Sequence, residues 1–179
     1  MKPENEPIPP EVLTDIGRLI RGCAELEFSL DLYLMKLLHL NFDRYSRLMK
    51  GVSFKRKSDV AADLAHADGE AEEKALRSVL KADGLEALLE CRNAVAHGIY
   101  LGVIRSASHG PDLYMFVSLR DWRSSGKKVG NWAVSYDHLS IRTRAEKLET
   151  SIPIMRDVLG VSEFLTEWRE SSRLKRRTS

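Results

Sequence analysis

An arginine, an asparagine and a histidine gather in Arg92-Asn93-Ala94-Val95-Ala96-His97, and Gly98 follows at once. Histidine titrates near neutral pH and can give or take a proton. Arginine stays cationic and can hold a phosphate or stabilise charge on a phosphorane. Those two groups suffice in principle for RNA cleavage without a metal. A base removes the 2′-hydroxyl proton, that oxygen attacks the adjacent phosphate, and the cation stabilises the transition state.

These residues close a segment, Leu85 to His97, that reads as an amphipathic helix. At about 100° per residue, Leu88, Leu89, Val95, Ala96 and Ile99 form one apolar stripe, with Arg92 near its centre. Asn93 and His97 share the flank as an i, i+4 pair, and Gly98 reads as the helix C-cap. A cation inside a core-facing stripe is costly unless it is paired or has work to do. Arg92 and His97 lie about 140° apart around an unbroken helix, so they do not both point straight at one small ligand. A loosened helix end, a curled Arg side chain or a second subunit would bring them together. A homodimer with two motifs facing across a two-fold axis meets that need.

A second anomaly sits in the first long helix, expected from Glu11 to Leu40. Its apolar stripe runs through Ile16, Leu19, Ile20, Cys23, Leu26, Leu30, Leu34 and Leu37, and Glu27 falls about 20° from the stripe centre. One misplaced acid and one misplaced base suggest each other, so a Glu27–Arg92 ion pair is expected, fixing the guanidinium plane.

The remaining elements are mostly helical. Short helices are expected at Arg44–Lys50, Phe54–Ala67 and Glu72–Ala82, with turns at Asp68-Gly69 and Asp83-Gly84. After Gly98, the stretches Tyr100–Arg105, Leu113–Leu119 and Val129–Tyr136 are rich in aromatic and β-branched residues and read as a small antiparallel sheet. Helix resumes at Ser140–Leu148 and again from Ile152 or Pro153 to Arg169. The fold class is therefore mainly α, a helical bundle with a β insertion over about residues 100–136. Residues 1–10 form an acidic, proline-rich lead, expected to be disordered and unlike a signal peptide. Residues 11–170 form one domain, and 171–179 a frayed basic tail.

The totals exclude several classes. With 179 residues the chain can bury a sizeable core, and a net charge of +2 identifies no partner. Cys23 and Cys91 share no metal-ligand spacing and suit a reduced, cytoplasmic protein. No apolar run is long enough to span a membrane. His39, His66, His109 and His138 show no metal-site spacing and read as surface or loop residues. Arg44, Arg47, Lys50, Lys55, Arg56 and Lys57 could line an RNA path, although such a run is more often a solvated face. Trp122 and Trp132 could stack on bases, with sheet packing the plainer role. There is no phosphate-binding Gly-rich loop, HExxH, CxxC or nucleophile elbow.

The string Arg92-Asn93-x-x-x-His97, late in a helical domain, resembles the R-x4-6-H signature of the HEPN superfamily. Ala24-Glu25-Leu26-Glu27-Phe28 in the long first helix and the Ala96-His97-Gly98 ending add to the likeness. The resemblance covers about residues 11–170, but only the motif is sharp. It implies an antiparallel bundle, dimeric, forming a metal-independent endoribonuclease at the interface, with no cofactor. Many such proteins act in toxin–antitoxin or phage-defence systems, so single-stranded RNA and an antitoxin or regulator protein are the partners implied. Carried over, Arg92 and His97 would be catalytic, Asn93 would contact the phosphate, and Glu27 would support Arg92. Toxins of this group paired with nucleotidyltransferase antitoxins carry a Tyr two residues after the His. Here that position is Ile99, with Tyr100 one place later. The alternative is a non-catalytic HEPN-like nucleic-acid- or nucleotide-binding, or assembly, module.

Overall fold

Helix α1 (Pro10–Leu37) is the longest element, 28 residues with buried positions recurring at helical spacing from Val12 to Met35. A computed structural model describes residues 4–80, 85–106, 110–117 and 133–166. Four further helices follow: α2 (Phe42–Leu48), α3 (Phe54–Asp68), α4 (Glu70–Leu80) and α5 (Leu85–His97). Three strands come next, β1 (Ile99–Ile104), β2 (Leu113–Val117) and β3 (Ala133–Asp137), and then α6 (His138–Val158). A helical stretch over 161–166 follows Gly160, whose φ of +61° is a left-handed value suited to glycine. The mainly helical class with a small antiparallel sheet is as expected.

The chain packs as two units. One comprises residues 1–23 and 84–149. Its core draws Ile16, Leu19 and Cys23 from α1, Cys91 and Ala94 from α5, Phe116 and Val117 from β2, and Ile141, Ala145 and Leu148 from α6. A Cβ on Gly22 would stand 2.9 Å from Leu148 Cδ1, so α1 and α6 approach closely there. The sheet order is β1-β2-β3, antiparallel throughout, and β1 bulges between Tyr100 and Gly102. The other unit comprises residues 24–83 and 150–179. Among its buried residues are Leu30, Tyr33 and Leu34 of α1, Ala61 and Ala65 of α3, Leu76 of α4, and Ile152 and Met155 of α6.

Three expectations are corrected. Glu4 is not loose: its N–H donates to Val103 O at 2.8 Å, its carbonyl accepts from Val103 N–H at 3.0 Å, and Glu6 pairs with Arg105. The free β1 edge supplies the backbone groups that hold it. The helix expected to break before Ile152 instead runs through Pro153. Pro153 is exposed, and the buried positions Ile141, Ala145, Leu148, Ile152 and Met155 keep helical period on both sides of it. Packing therefore outweighs the one backbone hydrogen bond that proline forfeits. Gly98 is not a left-handed cap either, as no positive φ occurs there. It is needed for space: a Cβ would lie 2.2 Å from Ala94 O and 3.2 Å from Val117 O. Trp122, Trp132, His109, the start of the third expected strand and the basic tail lie outside the described residues.

Candidate functional site

Helix α5 carries Arg92, Asn93 and His97 in its last turns and runs through Gly98 directly into β1. Gly98 N–H still donates to Ala94 O at 2.8 Å, so the helical bonding persists up to the junction. The buried seam of α5 is Cys91 and Ala94, not the leucine stripe expected; Leu88, Leu89, Val95 and Ala96 are only half-buried. Small side chains mark where the backbone comes closest to its neighbours, and size-weighted stripe counting overlooks them. Arg92 lies beside that seam, half-buried. Asn93 and His97 are exposed together on the flank, as their spacing implies.

The positive charge of Arg92 acts on the Cys23 side chain. Burial pushes the Cys23 thiol up to about 11, and the nearby Arg92 only partly counters it, so Cys23 stays a neutral thiol. Arg92 Nε is buried and has no hydrogen-bond partner among the described residues. An unsatisfied buried donor of this kind costs about 1–3 kcal/mol.

Glu27 has a different partner from the one expected. It pairs with Lys57 at 3.3 Å, and Lys57 lies closer still to Asp31, at 2.8 Å. Tyr45 donates its hydroxyl hydrogen to Asp31 at 2.5 Å. Burial works against the Lys57 charge, but Asp31 and Glu27 outweigh it and hold its pKa above the usual lysine value. Lys57 thus leaves the exposed basic run and turns inward, since α1 offers two carboxylates one turn apart. Arg44, Arg47, Lys50, Lys55 and Arg56 remain exposed.

A cluster that sequence reasoning missed centres on Asp15, only 4% exposed. Its Oδ1 accepts from Arg18 at 2.7 Å, and its Oδ2 accepts from His138 Nε2 at 2.8 Å and Arg142 Nε at 2.9 Å. Burial alone would raise the carboxyl, but the bonds from Arg142, His138 and Arg18 hold it down at about 2. Arg18 also grips Glu149 with two parallel bonds, 3.0 and 2.6 Å. His138, expected on the surface, is therefore the first residue of α6 and tied to a buried carboxylate. The signal was present: His138 and Arg142 are one turn apart on α6, as Asp15 and Arg18 are on α1.

Tyr100, the tyrosine after the motif, is turned in against Phe116, ring centroids 5.6 Å apart, and its hydroxyl is buried with no partner among the described residues. Among the described residues no three His, Cys, Asp or Glu side chains gather as a metal-ligand set, and no helix is long and apolar enough to cross a membrane. Compared with protein-family models, with characterised proteins and with solved structures, the chain matches none.

Proposed function

We propose that the protein is a metal-independent endoribonuclease of HEPN type, acting on single-stranded RNA as a homodimer in a toxin or phage-defence setting. His97 moves the protons, Arg92 holds the scissile phosphate, and Asn93 contacts it. The observation that carries this reading is the end of α5. An exposed imidazole and amide stand one turn apart there, beside a half-buried guanidinium whose Nε is unsatisfied. Those groups are acid–base and oxyanion-holding parts in the proportion that transesterification needs. A two-fold related α5 would supply the second cation or base that one helix places about 140° away. Ile99, 48% exposed beside the motif, offers apolar surface for such a contact. Glu27 enters only as a residue held by Lys57, so no supporting role toward Arg92 is proposed.

The test is cleavage of labelled single-stranded RNA in EDTA by wild type, Arg92→Gln and His97→Ala, with sedimentation to give the oligomeric state. Cleavage lost in both variants while their melting temperatures hold supports the reading. A second reading, a binding or assembly module without catalysis, draws on the half-buried setting of Arg92 beside the buried Cys91–Ala94 seam, which suits a structural cation. It wins if wild type never cuts RNA and Arg92→Gln unfolds.

A further inference from the structure

The Asp15 cluster opens on a cleft that the α5 reading does not use. The cleft, about 350 Å³, is lined by Pro111, Asp112, Tyr114, His138, Leu139 and Arg142. Its lining mixes polar and apolar groups. Among them, His138 and Arg142 are both anchored by the buried Asp15. Ionised Asp15 accepts a hydrogen bond from His138 Nε2–H, so that nitrogen keeps no lone pair for Arg142 Nη2, 3.3 Å away. Among the described residues, neither His138 Nδ1 nor Arg142 Nη1 has a hydrogen-bond partner, and the Arg142 side chain is 45% exposed. The lining also carries apolar surface from Pro111, the Tyr114 ring and Leu139, which is 69% exposed despite its size. The acid in the lining, Asp112, already binds Arg105.

An anchored guanidinium and imidazole sharing a cleft with exposed apolar surface match a ligand with an oxyanion head and a flat or aliphatic body. We propose that this cleft binds a small amphipathic anion, a carboxylate or phosphate monoester carried on an apolar group. The head meets Arg142 and His138, and the body lies on Leu139 and Tyr114. Asp15 is a positioning residue: it aims both side chains and does not touch the ligand.

The experiment is titration of the labelled full chain with benzoate, phenyl phosphate and, as the neutral control, benzamide, read by amide chemical shifts. Benzoate or phenyl phosphate should shift the amides of residues 112–114 and 138–142 with a Kd of about a few millimolar, as befits so small a ligand. Benzamide should bind at least about tenfold more weakly. The tighter of the two anions names the head group. Leu139→Glu removes the exposed leucine from this apolar surface and adds a repelling charge in the first turn of α6, where an acid does not harm the helix. It should abolish the shifts at an unchanged melting temperature. His97→Ala should bind as wild type does, which separates this site from α5. Absence of shifts with both anions, equal binding of benzamide, or unchanged binding by Leu139→Glu overturns the proposal.

Discussion

Asp15 and His138 are 123 residues apart in the chain and joined by a 2.8 Å bond between Oδ2 and Nε2. That link, with those from Arg18 and Arg142, makes a buried carboxylate the electrostatic centre of the α1–α6 contact in its unit. Burial of an acid is tolerable only when donors saturate it, and three do so here.

The acid limb of stability should follow Asp15. Its folded pKa, about 2, lies below the 3.8 usual for an aspartate. A depressed carboxylate stabilises the fold above its unfolded pKa and loses that contribution as pH falls through the folded value. About 2 kcal/mol should therefore disappear between about pH 4 and pH 2. Urea unfolding across that range checks it, and Asp15→Asn should flatten that portion of the curve while lowering stability at pH 7 by about 3 kcal/mol, since it leaves cations without their anion.

Gly98→Ala should destabilise the α5–β1 junction by about 2 kcal/mol or more, because its Cβ meets Ala94 O at 2.2 Å. Gly98→Asn discriminates the cause. A left-handed cap would accept asparagine nearly as well as glycine, whereas a site short of space rejects it as strongly as alanine. Thermal melts of the two variants decide, and the expected result is loss in both.

Lys57→Ala should cost about 3 kcal/mol, because it leaves Asp31 and Glu27 close together with no cation between them. Asp31→Asn should cost more than Glu27→Gln, as Asp31 lies closer to Lys57 and also accepts from Tyr45. Chemical denaturation of the three variants ranks them. An equal loss from Glu27→Gln would move the centre of this network.

What was legible in the chain follows from range. Periodicity and turn residues place α1 to α5 and the small sheet within a few residues, because those signals are local. The α5 motif is legible for the same reason: Arg92, Asn93 and His97 are neighbours in sequence. Partnerships are not local. Glu27 and Arg92 each look out of place on their own helices, yet Lys57, hidden within Lys55-Arg56-Lys57, is the cation that reaches Glu27. Asp15 escaped notice because its partners His138 and Arg142 lie at the far end of the chain, beyond the sheet. Pro153 misled because a local rule about helix breaking carries no knowledge of the buried face that holds the helix on both sides of it.

The catalytic claim is tested most directly with a DNA oligonucleotide containing one ribonucleotide, incubated with the protein in EDTA, its products read by mass. In-line attack by a 2′-hydroxyl predicts a cut only 3′ to that ribose, leaving a 2′,3′-cyclic phosphate, with the rate reduced at least about a hundredfold by His97→Ala. Absence of cleavage, cleavage elsewhere in the strand, or an undiminished rate in His97→Ala would contradict it.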